Sequence, residues 1–476
     1  MKRKRKVSTD CKIKDIVNID KEFLQNCEED FKKNPCNIIS RNAIVTIGSM
    51  LATTDSNRVN DIDHIFMNTL KKKYTKATNQ GSSGRCWMFS GLNLFRHSII
   101  HALDLENFEF SQTYLFFWDK LERANSYLNW FIDHPTITKD DDAFIYIVDD
   151  FISDGGWWST FSNLVNKYGL VPKSAMKETY QSSDSEDMNQ IISEHIQACA
   201  NYIYSEYKKN TSITLKELYK IKNKTVKQVY FILVKFLGEP PKKFKWAYTT
   251  TEDDSNIITN LEPIKFMDMV IPSIKIDDFI VLTHMPNTLK YNSYYEVKYT
   301  KNINEGNNFK FINLPIQELS KYTMKSISTG MPVWFAADVN HDFNPYHSAL
   351  DDKLSKQSLV FGETHSFTKA DRIIFRNLQA NHAMSIIGMN IGSTGIPESW
   401  QVENSWGFFD NETAGLDGFL FMSHSWFLKN VLQVVIHKNL LSRTTIKLLS
   451  QTPIFLNPWE CTAPALKIKP INYRKN

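Results

Sequence analysis

The apolar residues of this chain change period from one half to the other, and that change limits the fold more than any other feature. Between residues 84 and 101, Met88, Phe89, Leu92, Phe95, Ile99 and Ile100 recur at helical spacing, directly after Asn79-Gln-Gly-Ser-Ser-Gly. Further helical blocks run through Ile192, Ile196, Cys199 and Ile203, and through Val226, Val229, Leu233 and Phe236, the last ended by Gly238-Glu-Pro-Pro. Strand-like runs follow at 279–283, 294–299, 309–313 and 333–337, and again at 383–389, 400–403 and 418–422. Helix-rich first and strand-rich last is the α+β order. No internal repeat and no Gly/Ser- or Pro-rich linker divides the chain.

With 42% hydrophobic and 13% aromatic residues, the 476-residue chain has ample material for a large core. A net charge of +4 is small for this length and demands neither a nucleic acid nor a membrane partner. The first residues are charged without the apolar stretch of a secretory signal behind them, and no run approaches the roughly 18 apolar residues of a membrane span. A cytoplasmic protein is expected. Cys11, Cys27, Cys36, Cys86, Cys199 and Cys461 lack CxxC or other metal-ligand spacing, so they are expected to be reduced thiols, with no zinc site and no disulfide framework. The basic run at residues 2–6 reads as a solvated terminus, or as a nuclear address or phosphate-binding arm.

Cys86 stands where the Gly/Ser loop becomes a helix, a position whose dipole favours the thiolate, as a neighbouring imidazolium also would. Gln80, six residues upstream in the same loop, offers a side-chain amide that could join the Cys86 N–H in stabilising an oxyanion. His382 opens the apolar strand Ala383-Met-Ser-Ile-Ile-Gly, which suits a base held on a rigid element. Asn404 ends another strand; its side-chain oxygen could fix the imidazole tautomer while Trp406 shields that bond from water. Singly each residue is commonplace, and the order Gln80, Cys86, His382, Asn404 is what carries the argument.

That order, with Gln80-x5-Cys86-Trp87, Asn381-His382-Ala383 and Glu403-Asn404-Ser405-Trp406-Gly407, resembles the papain-like cysteine peptidases. Within them the chain is similar to the bleomycin hydrolase and aminopeptidase C branch from about residue 75 to 467. The stretches 79–90, 108–120, 154–158, 167–173, 332–339 and 400–407 carry the likeness. The resemblance implies a two-part catalytic body, helical and antiparallel β, with a large inserted helical segment. It also implies an aminopeptidase acting on peptides and small amides through an acyl-thioester, without metal or organic cofactor, and a homohexamer around an internal channel. Gly155 and Gly156 would then bind the substrate backbone. Ser83 stands where secreted relatives carry a disulfide cysteine, which suits a reducing compartment. Trp157, Ser159 and Asn381 depart from the branch's usual residues.

The expected divisions are an N-terminal arm and helical segment (1–70), the helical half with the nucleophile (71–171), the insertion (172–330), the β half with His382 and Asn404 (331–450) and a C-terminal arm (451–476). In the branch this arm lies in the cleft and its carboxylate holds the substrate's amino group; here the chain runs on past Lys467, which would move that carboxylate. Two rival functions share these residues: a silent or weakly active binding protein for nucleic acid or a ligand, and a thiol acyltransferase. Active-site labelling separates the first from a peptidase, and product analysis separates the second.

Overall fold

The computed structural model describes residues 19–70, 76–149, 151–209, 212–272, 275–407, 418–460 and 463–469. The basic run at residues 2–6, Cys11 and Cys461 lie outside them. The chain divides into two units, one of Met1–Asp61 with Lys353–His365, the other of Ile62–Asp352 with Ser366–Asn476.

In the smaller unit, Asp20 caps helix α1 (Lys21–Lys33) by accepting the Phe23 N–H, and Asn34 caps α2 (Pro35–Thr53), whose proline sits in the first turn where no donor is lost. Gly48, at φ 81°, kinks α2. The 353–365 segment is tied in by the Thr53 and Ser355 hydroxyls at 2.8 Å and by Lys356 on Asp55 at 3.4 Å. Helix α1 buries none of its residues, and Phe23, Leu24, Phe31, Ile39, Val45 and Ile47 all face solvent.

The larger unit holds the helices expected around Cys86, Ile196 and Val229: α3 (Cys86–Ala102), α6 (Glu186–Lys209) and α7 (Leu215–Leu237), the last closed by Gly238. Between them lie α4 (Gln112–Asp133) and α5 (Trp158–Tyr168). The strand-like runs become β1 (Phe279–Thr283), β2 (Ser293–Val297), β3 (Phe309–Asn313), β4 (Val333–Ala337), β5 (His382–Ile391), β6 (Pro397–Glu403) and β7 (Phe419–Ser423), to which β8 (Val431–His437) is added. All join one twelve-stranded sheet in which the order β2-β3-β1-β8-β4-β5-β6-β7 is flanked by short strands. Three of these strands, β1 to β3, fall inside the segment expected as an insertion and continue the same sheet. The pairs β4–β5, β5–β6 and β4–β8 are antiparallel, with His382 opposite Ala337 and Glu403 opposite Ser385.

Strand β5 is buried along its first eight residues, so one face must meet a helix, and that helix is α3. The Trp334 indole donates to the Trp87 carbonyl at 3.1 Å, and the Ser90 and Ser385 hydroxyls meet at 3.0 Å. The loop that carries the nucleophile is thereby seated against the strand that carries the histidine. Among the described residues, no helix is long and apolar enough to cross a membrane.

Candidate active site

The site is assembled from three loop-to-element junctions. The first is the turn into α3, which zips onto the residues after β6: Gln80 N–H donates to the Ser405 carbonyl at 2.8 Å, Gly407 N–H donates to the Thr78 carbonyl at 3.1 Å, and Asn79 bridges Trp406. Gly407 takes φ 66°, and a β-carbon there would lie 2.6 Å from the Asn79 amide, so both conformation and space demand glycine. Gln80 is buried; its Nε2 donates to Ser83 O at 2.7 Å and its Oε1 accepts from the Ser405 hydroxyl at 2.6 Å. One amide hydrogen of Gln80 therefore stays available for an oxyanion.

Ser83 is more than a missing disulfide partner. Its hydroxyl donates to Gln80 O at 2.6 Å and accepts from Arg85 Nε at 2.7 Å. Arg85 is completely buried, with its guanidinium 5.0 Å from the Phe89 and Phe116 rings and forked onto Glu178 at 2.8 and 3.2 Å. Neither Arg85 nor Glu178 stands out in the sequence, apart from the charge of Arg85 directly before Cys86.

The second junction is the start of β5. His382 is buried and its Nε2 is 2.7 Å from Asn404 Oδ1, so this nitrogen carries the hydrogen and Nδ1 keeps a free lone pair. Nδ1 is buried without a hydrogen-bond partner. The Trp406 ring stacks on the imidazole at 4.3 Å and 26°. Asn404 is aimed by its own turn: Asn404 N–H donates to Gly418 O at 3.1 Å and Ser405 N–H donates to Asn404 Oδ1 at 2.8 Å. Next to it, Glu403 accepts from Asn93 at 3.0 Å and Arg96 at 3.5 Å, two side chains of α3. Asn381, one of the departures, is a fully buried clamp: it donates to Asp338 at 2.7 Å and accepts from the Val339 N–H at 2.9 Å.

Cys86 Sγ lies against the backbone N–H of Ala383, the residue after His382, so nucleophile, base, Asn404 and Gln80 are brought together. Burial pushes the Cys86 thiol up to about 12, against the pull of the Ala383, Trp87 and Cys86 N–H groups, and pushes His382 down to about 4. Burial opposes charge on both groups, whereas the N–H groups around Cys86 and the Asn404 bond on His382 favour it.

The third junction is the irregular 152–157 segment that leads into α5. Gly155 O accepts from Arg123 Nη2 at 2.7 Å, which fixes the orientation of that carbonyl. Gly156 is fixed by packing, since a β-carbon there would come within 2.6 Å of the Trp87 ring. Trp157 turns away to stack on Phe309 at 4.4 Å, and Ser159 Oγ is buried without a partner. Lys467 lines a recess with Arg123, Tyr146 and Trp157. No group of His, Cys, Asp and Glu among the described residues is placed to hold a metal ion.

Fold and site together define a papain-like cysteine peptidase. The profile of the Peptidase C1-like family matches residues 18–463. The chain is 33% identical to aminopeptidase C of Listeria monocytogenes over 92% of its length and 97% of that protein. It is 32% identical to human bleomycin hydrolase, covering 83% of this chain and 88% of the relative. The crystal structure of PepW from Lactobacillus rhamnosis HN001 superposes with a TM-score of 0.89 at 28% identity, over 95% of this chain and 99% of that one. The chain belongs to the Peptidase C1-like family.

Proposed function

We propose that the protein is an aminopeptidase that cleaves peptides and small amides in the cytoplasm as a homohexamer. The aminopeptidase names of its relatives support the activity, and one observation supports its exo-acting character. Residues 463–469 run beside the catalytic strand: Ala380 N–H donates to Ala465 O at 2.8 Å, Lys469 N–H donates to Ala380 O at 3.1 Å, and Gln433 holds Leu466 O at 2.7 Å. Ile468 is wholly buried, so the first residues past Lys467 are docked. A segment docked beside the strand that opens with His382 would limit the room for residues upstream of the scissile bond, which supports an exo-acting reading. The exposed apolar faces of α1 and α2 support assembly with further copies.

The steps follow from the geometry. His382 Nδ1 takes the Cys86 proton as sulfur bonds to the substrate carbonyl carbon, and Cys86 N–H with the free Gln80 hydrogen meets the oxyanion. The imidazolium then protonates the leaving amine as the C–N bond breaks. Water, deprotonated by the same nitrogen, hydrolyses the thioester to release the acid and restore the thiol.

A panel of fluorogenic aminoacyl-amides and their N-acetylated counterparts, each with and without iodoacetamide, tests this. Free-amine substrates should be cleaved, acetylated ones spared, and all hydrolysis lost on alkylation. Equal rates for both sets would overturn the exopeptidase assignment. Light scattering should give six times the 55.3 kDa chain mass.

A further inference from the structure

Helix α4 turns Lys120 and Arg123 toward the 151–155 segment, and the partner of Lys120 there, Asp154, reaches the turn that carries Cys86. Lys120, completely buried, donates to Ile152 O at 2.7 Å, Ser153 O at 3.1 Å and Asp154 Oδ1 at 2.7 Å. Asp154 Oδ1 also accepts from Asn189 at 2.7 Å, while Oδ2 accepts from the Ser185 hydroxyl and from the backbone N–H of Gly84 at 3.0 Å. The Asp154 carbonyl accepts the Trp87 indole N–H at 2.6 Å. One residue thus grips the chain two positions before Cys86 and one position after it.

A buried ion pair is a poor source of stability, since apolar residues of equal volume commonly do as well or better. What it supplies here is placement. The turn from Gln80 to Cys86 is a loop without a ladder of its own, and it must set two donors, the Cys86 N–H and the Gln80 amide, to within a fraction of an ångström of a developing oxyanion. Gln80 leans on Ser83 and Arg85, and Gly84, between those two, is held only by Asp154 among the hydrogen bonds described for its N–H.

We propose that Asp154 is a positioning residue of the peptidase: its carboxylate, held in place by Lys120, fixes the Gly84–Trp87 turn so that the oxyanion donors are correctly set. The role extends to the inserted helices, because Ser185 and Asn189 at the start of α6 share the same carboxylate. This rests on the peptidase reading of the site.

Asp154→Asn tests it, since an amide has one oxygen and cannot serve the Lys120 and Gly84 sides together. On an aminoacyl-aminomethylcoumarin the variant should lose about 10²-fold in kcat with little change in KM, the scale of a misplaced reacting group. Alkylation of Cys86 by iodoacetamide at pH 7 forms no oxyanion, and removing a negative charge near the thiol favours its ionisation. That rate should hold or rise. The Lys120→Met/Asp154→Leu double variant leaves no buried charge unpaired and no acceptor for the Gly84 N–H, and should show the same split if the single variant folds poorly. Turnover and alkylation falling in parallel, a loss confined to KM, or unchanged kcat would each overturn the positioning role while wild-type hydrolysis stands. A wild-type chain that hydrolyses nothing would overturn the peptidase reading and this role with it.

Discussion

On the helical side of the cleft, three buried ion pairs hold the site: Arg85 with Glu178 at 2.8 Å, Lys120 with Asp154 at 2.7 Å and Arg123 with Asp119 at 2.8 Å. On the sheet side, His382 and Asn404 stand at the ends of β5 and β6, placed by strand register, one neutral 2.7 Å hydrogen bond and the stacked Trp406 ring. A strand in a sheet inherits its geometry from the ladder, so its end residues need little further support. A Gly- and Ser-rich loop inherits nothing and has to be fixed group by group, and charged groups make the strongest such bonds. The two sides are joined where Glu403 meets Asn93 and Arg96 of α3.

The largest expected effect lies at the point both sides serve. Cys86→Ala should abolish hydrolysis with the circular dichroism spectrum and melting transition retained; residual turnover in a clean preparation would show that this cysteine is not the nucleophile. Next comes a direct contrast in stability. Arg85→Met strands Glu178 without its buried partner and should cost about 3–5 kcal/mol in denaturant unfolding, much of it recovered in Arg85→Met/Glu178→Gln. On the sheet side, Asn381→Ser breaks two buried hydrogen bonds and should cost only about 1–3 kcal/mol. Equal losses would remove the distinction between the two sides.

The last contrast is in acid. Burial pushes His382 down to about 4 and His284 down to about 3, so the unfolded chain takes up protons below pH 6.5 that the folded form refuses. Stability should therefore fall as pH drops from 6.5 toward 4, by at most about 1.4 kcal/mol per pH unit for each histidine, and neither should matter above pH 7. His284→Gln should flatten the melting-temperature profile in that window, and an unchanged slope would show that His284 takes no part.

The sheet side was largely legible in the sequence, and the reason is chemical. Strand runs such as 279–283, 309–313 and 333–337 are apolar and β-branched or aromatic, and His382 and Asn404 sit in wording that few functions share. The place of Cys86 at the start of α3 was legible for the same reason. The supports on the helical side were not. Asp119, Lys120 and Arg123 have the spacing of an ordinary solvated helix face, and only the fold turns that face inward. Glu178 lies 93 residues from Arg85, and no local pattern links them. Gly155 and Gly156 stand out only through the resemblance; in the structure Gly155 O accepts from Arg123, and Gly156 lies against Trp87 with no room for a β-carbon.

The ion pairs around the nucleophile have a consequence for how the enzyme is measured. Burial alone would push the Glu178 and Asp154 carboxyls up, but Arg85 and Lys120 overcome it and hold both below the usual carboxylate range. Through the interval in which histidine titrates, these two carboxylates keep their charge. The acid limb of a pH–rate curve should then carry no contribution from either of these carboxylates.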